Sequence, residues 1–354
     1  MRILHVITSL RTGGAEHLMV DLLPRLRDLG NEIELLVFDG TRTPFYEQLE
    51  STGIPIHQLT IGGSVYNLLN IFRMAKYMRR FDIVHTHNTA CQLFAPIAKL
   101  LTFSKARLFT TEHSSNNRRR GNKLLSVLDR WMYNRYERII CISDKTQENL
   151  ENHIGKHASI VTIYNGVDTQ KFSHPIKDIS GQKEFVITMV ASLSEAKDQD
   201  TLIRAIALLP DCFKLQLVGD GPKRSLLEEL ASQQNVSDRV AFLGIRSDIP
   251  KLLGRSDVMV LSSHWEGLSL SSVEGMASGR PFIASDVDGL REVVNDYGLM
   301  FPEGDAQALA NCITNLCKHP QLYYDVAHRC QKRALEFDIS LMAQDYHNCY
   351  TNTH

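Results

Sequence analysis

The sequence has no run of roughly 18 or more apolar residues, the minimum for a membrane-crossing helix, although 43% of its 354 residues are hydrophobic. It also lacks a signal-peptide pattern. Met1-Arg-Ile-Leu-His-Val-Ile reads as a first strand, not as a long apolar core ahead of a small-residue cleavage site. The seven cysteines are scattered without CxxC or paired spacing, which argues against a disulfide framework and a zinc site. The expected location is a reducing cytoplasm, with the inner face of the plasma membrane as a peripheral site. Neither G-x-G-x-x-G nor G-K-[ST] occurs, so a dinucleotide fingerprint and a P-loop are both excluded. There is no short-period repeat and no low-complexity tract.

The net charge of −1 hides an asymmetry. Residues 1–170 carry 21 Lys and Arg against 16 Asp and Glu, whereas the remainder carries 18 against 24. Residues 73–138 alone hold 14 basic and 4 acidic side chains, including Arg118-Arg119-Arg120 and the aromatic-laced Arg130-Trp131-Met132-Tyr133-Asn134-Arg135. Such a stretch suits an anionic membrane surface or a phosphate-bearing substrate. A merely solvated basic face is the alternative. Nucleic acid is not expected, because no recognition motif accompanies the charge.

Short β-branched runs alternate with amphipathic segments along the chain, the pattern of parallel sheets wrapped by helices. The first half offers strands at Ile3–Thr8, Ile33–Phe38, Asp82–His87, Arg107–Thr111, Arg138–Ser143 and Ser159–Tyr164, with helices such as Ala15–Leu29 and Tyr66–Arg80. The second half offers Phe185–Ala191, Phe213–Val218, Val240–Leu243, Val258–Ser262 and Pro281–Ser285, and closes with three helical segments after Asp305. The polar stretch Asp168–Gln182 contains Pro175 and no sustained periodicity, as a linker would. The expected fold is α/β, two doubly wound Rossmann-like domains at residues 1–168 and 169–336, followed by a terminal segment, 337–354. Ligands of such sheets gather at the carboxyl ends of the strands.

One of those ends carries an informative segment. Strand Val258–Ser262 runs into Glu266-Gly267, a helix begins near Leu268 or Ser269, Glu274 lies inside it, and Gly279 and Pro281 stop it. Free amides at the helix start suit a diphosphate, and carboxylates suit the vicinal hydroxyls of a ribose or a sugar ring. On residue chemistry alone, two ordinary surface glutamates fit as well. His85 and His87 end another strand. A metal pair is set aside there on the expectation that the strand sends the two rings to opposite faces. The triplets Asp198-Gln-Asp200 and Asp286-Val-Asp288 fit helix-start or loop roles, so no metal is expected.

The Glu266–Glu274 segment resembles the E-x7-E signature of glycosyltransferase family 4, retaining enzymes of the GT-B fold. Tyr164-Asn-Gly-Val-Asp168 is similar to the family's P-N-G-V-D, and Val218-Gly-Asp-Gly-Pro222 with Leu226 and Leu227 to its V-G-x-G-P turn. Pro281-Phe-Ile-Ala-Ser-Asp286, Gly289 and Glu292-Val-Val294 match the family's pattern beyond the glutamates, so the likeness runs essentially end to end. The resemblance implies two sheets facing across a cleft and a terminal helix from Phe337 to Tyr350 that returns to the N-terminal domain. It gives Glu274 to the ribose, Glu266 to the donor sugar, and the amides of Gly267, Leu268 and Ser269 to the distal phosphate. Lys197 would neutralise the leaving diphosphate, and His113 would contact the donor sugar at the reaction centre. Gly13 and Gly14 would approach the donor phosphates, although alone they read as a tight turn. His87 is placed near the acceptor and His85 is given a structural role. One departure matters: Ser192 stands where many members have arginine, which removes half of the usual cationic clamp.

The implied reaction moves a hexose or N-acetylhexosamine from a nucleoside-diphosphate sugar, UDP favoured, to a hydroxyl of a glycan or lipid-linked glycan. Bacterial surface-polysaccharide synthesis is the expected setting, without a metal or other cofactor. A sugar-nucleotide epimerase and a non-catalytic sugar-nucleotide-binding protein are the alternatives.

Overall fold

The computed structural model describes residues 1–11, 13–113, 123–157, 159–267 and 269–352. The chain divides into two compact units, one of residues 1–166 with 339–354 and the other of residues 167–338. Among the described residues no helix is long and apolar enough to cross a membrane.

The first unit holds a seven-stranded, all-parallel sheet. Its strands are β1 (Arg2–Ile7), β2 (Glu32–Asp39), β3 (Ile56–Thr60), β4 (Ile83–His87), β5 (Arg107–Glu112), β6 (Arg138–Cys141) and β7 (Ile160–Thr162). Their order is β3-β2-β1-β4-β5-β6-β7, and every pair runs parallel. Strand β1 supplies both faces by alternation. Ile3 and Ile7 join Leu22, Leu26, Tyr346 and Tyr350 in one core, while Leu4 and Val6 join Met78, Phe94 and Tyr136 in the other. Burial on both faces explains why β1 reads as a nearly continuous apolar run. The polar exception is His5, on the Ile3–Ile7 face.

The second unit has six parallel strands: β8 (Phe185–Val190), β9 (Phe213–Val218), β10 (Val240–Gly244), β11 (Val258–Leu261), β12 (Phe282–Ser285) and β13 (Leu299–Phe301). Their order is β10-β9-β8-β11-β12-β13. Each sheet therefore reverses its winding beside its first strand, where ligands of doubly wound folds collect.

Strands β3 and β13 were not anticipated. The first lies at a sheet edge, where Ile-His-Gln-Leu-Thr is only partly buried, and the second has three residues. Neither carries enough apolar pattern to stand out. In the expected linker, Asp168 caps a short helix, Thr169–Phe172, by accepting from the Lys171 amide at 3.2 Å. The buried Arg280 guanidinium then ties Pro175 to Ser256 and Gly254 through their carbonyls. The second unit starts and ends at one place, since Val167 donates to the carbonyl of Phe337 at 2.9 Å and pairs with Asp338.

The terminal helix, Ile339–Thr351, belongs to the first unit. It packs along helix Gly14–Asp28 and buries Ile339, Met342, Ala343, Tyr346 and Tyr350. Arg107 holds its end by donating to the Tyr350 carbonyl at 2.7 Å.

Candidate functional site

In the second unit the loops after β8 and β11 are stitched together. After Leu261 the chain turns through two buried serines. Ser262 Oγ donates to the Asp198 carbonyl at 2.7 Å, and Ser263 Oγ donates to Glu266 Oε1 at 2.8 Å. The amide of His264 donates to the Ala196 carbonyl at 2.9 Å. Lys197 ends a 3-10 turn, Glu195–Lys197, and Asp198 follows at φ 45° in the left-handed region. Asp198 also caps helix Gln199–Ala207 through the Thr201 amide. This corner aims the Lys197 ammonium at Glu266, with Nζ to Oε1 at 2.5 Å. The carboxylate is almost enclosed and the ammonium about one-fifth exposed. An ion pair so shielded from water is stronger than a surface pair, and it holds both groups in one orientation.

Helix Leu270–Ala277 begins just beyond. Its N-cap, Ser269, makes no capping bond from its side chain. The Ser269 hydroxyl pairs with that of Ser271, and Ser272 donates back to the Ser269 carbonyl at 2.6 Å. The N-cap side chain therefore leaves the leading amides uncapped, the condition under which a helix N-terminus takes an anion. Gly267 is exposed, and a Cβ there would meet nothing. The close approach is made by Gly289, where a Cβ would fall 2.2 Å from the Gly267 carbonyl oxygen. Leu268 lies outside the described residues. Glu274 is half-buried one turn into the helix. Lys197, Glu266, Gly267 and Ser269 thus lie on neighbouring loops, and Glu274 on the helix that those loops begin.

Ser192 puts no charge here. Its hydroxyl pairs with Ser194, and its carbonyl accepts from Gln199 at 2.9 Å. A second ammonium nearby, Lys223, is held by Asp200 at 2.5 Å and Glu195 at 3.1 Å. Asp286 and Asp288 both pair with Arg291. Both Asp-x-Asp triplets are thus engaged within the protein.

In the first unit, Gly13 is extended at the start of helix Gly14–Asp28, and a Cβ on it would strike the Glu16 carboxylate at 2.2 Å. Around the ends of β1, β4 and β5 stands a cluster of histidines. The expectation that His85 and His87 diverge is overturned. Residues two apart on a strand share a face, and the two rings stack at 4.6 Å. His5 lies opposite His85 in register and on the same face. His85 joins the terminal helix to the sheet, pairing through Nδ1 with the Tyr350 hydroxyl at 2.6 Å and through Nε2 with Thr111 at 2.8 Å. Thr111 in turn meets the Tyr346 hydroxyl at 2.9 Å.

His87, expected on the acceptor side, is fully buried. Its Nε2 pairs with His5 Nδ1 at 2.9 Å and its Nδ1 with His113 Nε2 at 3.0 Å. It offers no nitrogen to a ligand. His113 is the partly exposed member. Burial pushes His5 down to about 3 and His113 down to about 4, and holds His85 and His87 well below the usual imidazole range. His5, His85 and His87 stand close enough to share an ion, with ligand atoms within 4.8 Å of one another. A metal-bound imidazole keeps one nitrogen for the ion, yet both nitrogens of His85 and of His87 are held in protein hydrogen bonds.

Several of these residues escape sequence reasoning. His5 was signalled only as a polar residue within an apolar strand. Tyr346 and Tyr350, one helical turn apart, read as ordinary core positions. Ser263 and Gly289 gain meaning only from the carboxylate and the loop they touch. Part of the basic stretch is structural, since Met132 and Tyr133 are buried and the Tyr133 hydroxyl donates to the buried Glu112 at 2.5 Å. Arg118, Arg119 and Arg120 lie outside the described residues.

Both halves match known protein families. The family described as Glycosyltransferase Family 4 matches residues 12–171, and that described as Glycosyl transferases group 1 matches residues 170–337. N-acetyl-alpha-D-glucosaminyl L-malate synthase of Bacillus anthracis is 25% identical over 359 residues, with 96% of this chain and 93% of the relative covered. UDP-Gal:alpha-D-GlcNAc-diphosphoundecaprenol alpha-1,3-galactosyltransferase of Escherichia coli is 28% identical over 271 residues, covering 71% and 70%. Among solved structures, Anabaena Alr3699/HepE in complex with UDP superposes with a TM-score of 0.85 at 25% identity, covering 99% of this chain and all of that one. With two parallel-sheet Rossmann-like units and a family match on each, the chain belongs to the GT-B glycosyltransferases that join a family 4 N-terminal module to a group 1 C-terminal module.

Proposed function

We propose that the protein is a retaining glycosyltransferase that moves a hexose or N-acetylhexosamine from a UDP-sugar to a hydroxyl of a lipid-linked glycan, in the synthesis of a bacterial surface polysaccharide. The observation that carries the reading is the Lys197–Glu266 pair beside a helix start whose N-cap side chain, Ser269, makes no capping bond. The anionic diphosphate docks on those amides and on Lys197, Glu274 takes the ribose hydroxyls, and Glu266 turns to the hydroxyls of the sugar. The bond between the anomeric carbon and the distal phosphate oxygen breaks. The acceptor oxygen attacks the same face, and its proton passes to the departing phosphate. Lys197 and the amides stabilise the charge that develops there, the kind of term that usually dominates such rates. The residues present supply this stabilisation without a metal. The UDP in the Anabaena structure and the UDP-sugar and lipid diphosphate in the Escherichia coli enzyme's name support the choice of donor and acceptor.

A peripheral membrane position follows from the same reading. Tyr66, Leu68, Leu69 and Phe72 are exposed ahead of and along helix Leu69–Met78, and Leu100, Leu101 and Phe103 at the end of helix Thr89–Thr102. These two helices pack together, with Arg79 Nε donating to the Thr102 carbonyl at 2.8 Å. Arg73, Lys76, Arg79, Arg80, Lys99 and Lys105 lie on these helices or just beyond their ends. Apolar side chains framed by basic ones suit an anionic bilayer.

The test is a transfer assay with UDP-glucose, UDP-galactose, UDP-N-acetylglucosamine and UDP-N-acetylgalactosamine on a polyprenyl-diphosphate-linked glycan, with and without a chelator. Product anomers are read by NMR. An α-linked product that is insensitive to the chelator is expected. A β-linked product overturns retention. Isomerised donor formed without an acceptor replaces the transferase reading with the epimerase one.

A further inference from the structure

The three histidines His5, His87 and His113 form a linear chain of hydrogen bonds. His85 stacks against the first two but shares no hydrogen bond with either. Each neutral imidazole carries one N–H and one bare nitrogen, and burial keeps all three rings neutral near pH 7. The middle ring, His87, must bond on both sides with a single proton, so it donates at one nitrogen and accepts at the other. Both bonds therefore point the same way, and only two arrangements exist.

In the first, His5 Nδ1–H donates to His87 Nε2, His87 Nδ1–H donates to His113 Nε2, and His113 carries its proton on Nδ1. In the second every bond is reversed, and the proton of His5 moves to Nε2. That atom is buried and has no hydrogen-bond partner among the described residues. A buried N–H without an acceptor is rarer and more costly than a buried bare nitrogen, so the first arrangement wins.

We infer that His5 and His87 are positioning residues that lock His113 as its Nδ1–H tautomer and make it a hydrogen-bond donor at its outer nitrogen. Nothing among the described residues bonds that nitrogen, and His113 is the partly exposed ring of the three. A fixed donor at this point selects a ligand with an oxygen acceptor there and disfavours one that must donate. The bearing on transfer rests on the proposed reaction and on the donor-sugar contact that the family resemblance implies for His113. The tautomer itself does not.

The decisive measurement is a long-range ¹H–¹⁵N correlation spectrum of the full chain labelled at histidine, taken without ligand, with His113 assigned by its loss in His113→Gln. Protonated Nδ1 and bare Nε2 on His113 are expected, the minority form of free imidazole side chains. Observation of Nε2–H overturns the proposal. In His5→Phe, which fills the space without a donor, His113 should shift toward Nε2–H. Transfer kcat/KM should then fall about tenfold, as for other orienting partners one shell out, with UDP affinity unchanged. In His5→Asn, whose amide places an N–H near the lost Nδ1, tautomer and rate should return. A folded His5→Phe protein with tautomer and rate both unchanged also overturns it. If His5→Phe does not fold, the wild-type spectrum decides. A wild-type protein with no transferase activity but the Nδ1–H form would sink the proposed reaction and leave the tautomer assignment standing.

Discussion

The two units build polar sites in opposite ways. In the second, the named groups come from two loops and the first turns of the helix that follows one of them, and the key carboxylate faces an ammonium only partly withdrawn from water. In the first, four uncharged histidines sit on and beside three adjacent strands and are closed over by tyrosines more than 230 residues away in sequence. One site is organised for charge and the other for direction. Charge is carried by residue type, and so survives in a motif. Direction is carried by hydrogen-bond partners, and so exists only in the fold.

Substitutions sharpen the contrast. The largest effect is expected from Lys197→Ala, which removes the cation beside the leaving group. Turnover should fall about 100- to 1,000-fold, and Glu266→Ala should likewise act mainly on kcat. If either variant changes KM alone, Lys197 and Glu266 serve binding and not chemistry. Glu274→Ala comes next. Losing a charged hydrogen-bond acceptor for the ribose should weaken UDP binding about 10- to 100-fold by calorimetry. Unchanged affinity would remove Glu274 from the donor site.

Acid should separate the units. The folded-state affinities of His5, His85, His87 and His113 for protons all lie below those of an unfolded chain, so the unfolded state binds more protons as pH drops. The stability these rings contribute is full above about pH 6.5 and is lost on the way down toward pH 4. Thermal unfolding followed between pH 7.5 and 4.5 should show the first unit failing earlier. Coincident loss of both units throughout would break the contrast. The smallest expected effect is that of Tyr350→Phe. It strips His85 Nδ1 of its partner and should cost roughly 1–3 kcal/mol in denaturant titration, with UDP binding intact.

The difference between the sites also explains how much the sequence disclosed. The alternating strands and helices were legible because most strands are buried on both faces and rich in apolar and β-branched residues. Edge strand β3 was not, because partial burial leaves no pattern. Glu266, Glu274 and Lys197 were singled out by the family resemblance, and the structure sets Lys197 against Glu266 and puts Glu274 on the adjoining helix. The burial of His87 was not legible, since its two partners, His5 and His113, come from β1 and the end of β5 and meet it only through strand register. Ser263 acts only through the carboxylate it touches, and a lone serine announces nothing.

The second unit is, in connectivity, an insertion: it leaves the first unit after Gly166 and rejoins it at Ile339, with its two ends paired side by side. All of the second unit is therefore synthesised before the first can close, because Tyr346 and Tyr350 follow it in the chain. Until then one face of the older sheet, with its buried imidazoles, stays open to water and to chaperones. Joining residue 166 directly to 339 should give a small autonomous domain, whereas truncation before Ile339 should leave the longer N-terminal piece unable to mature.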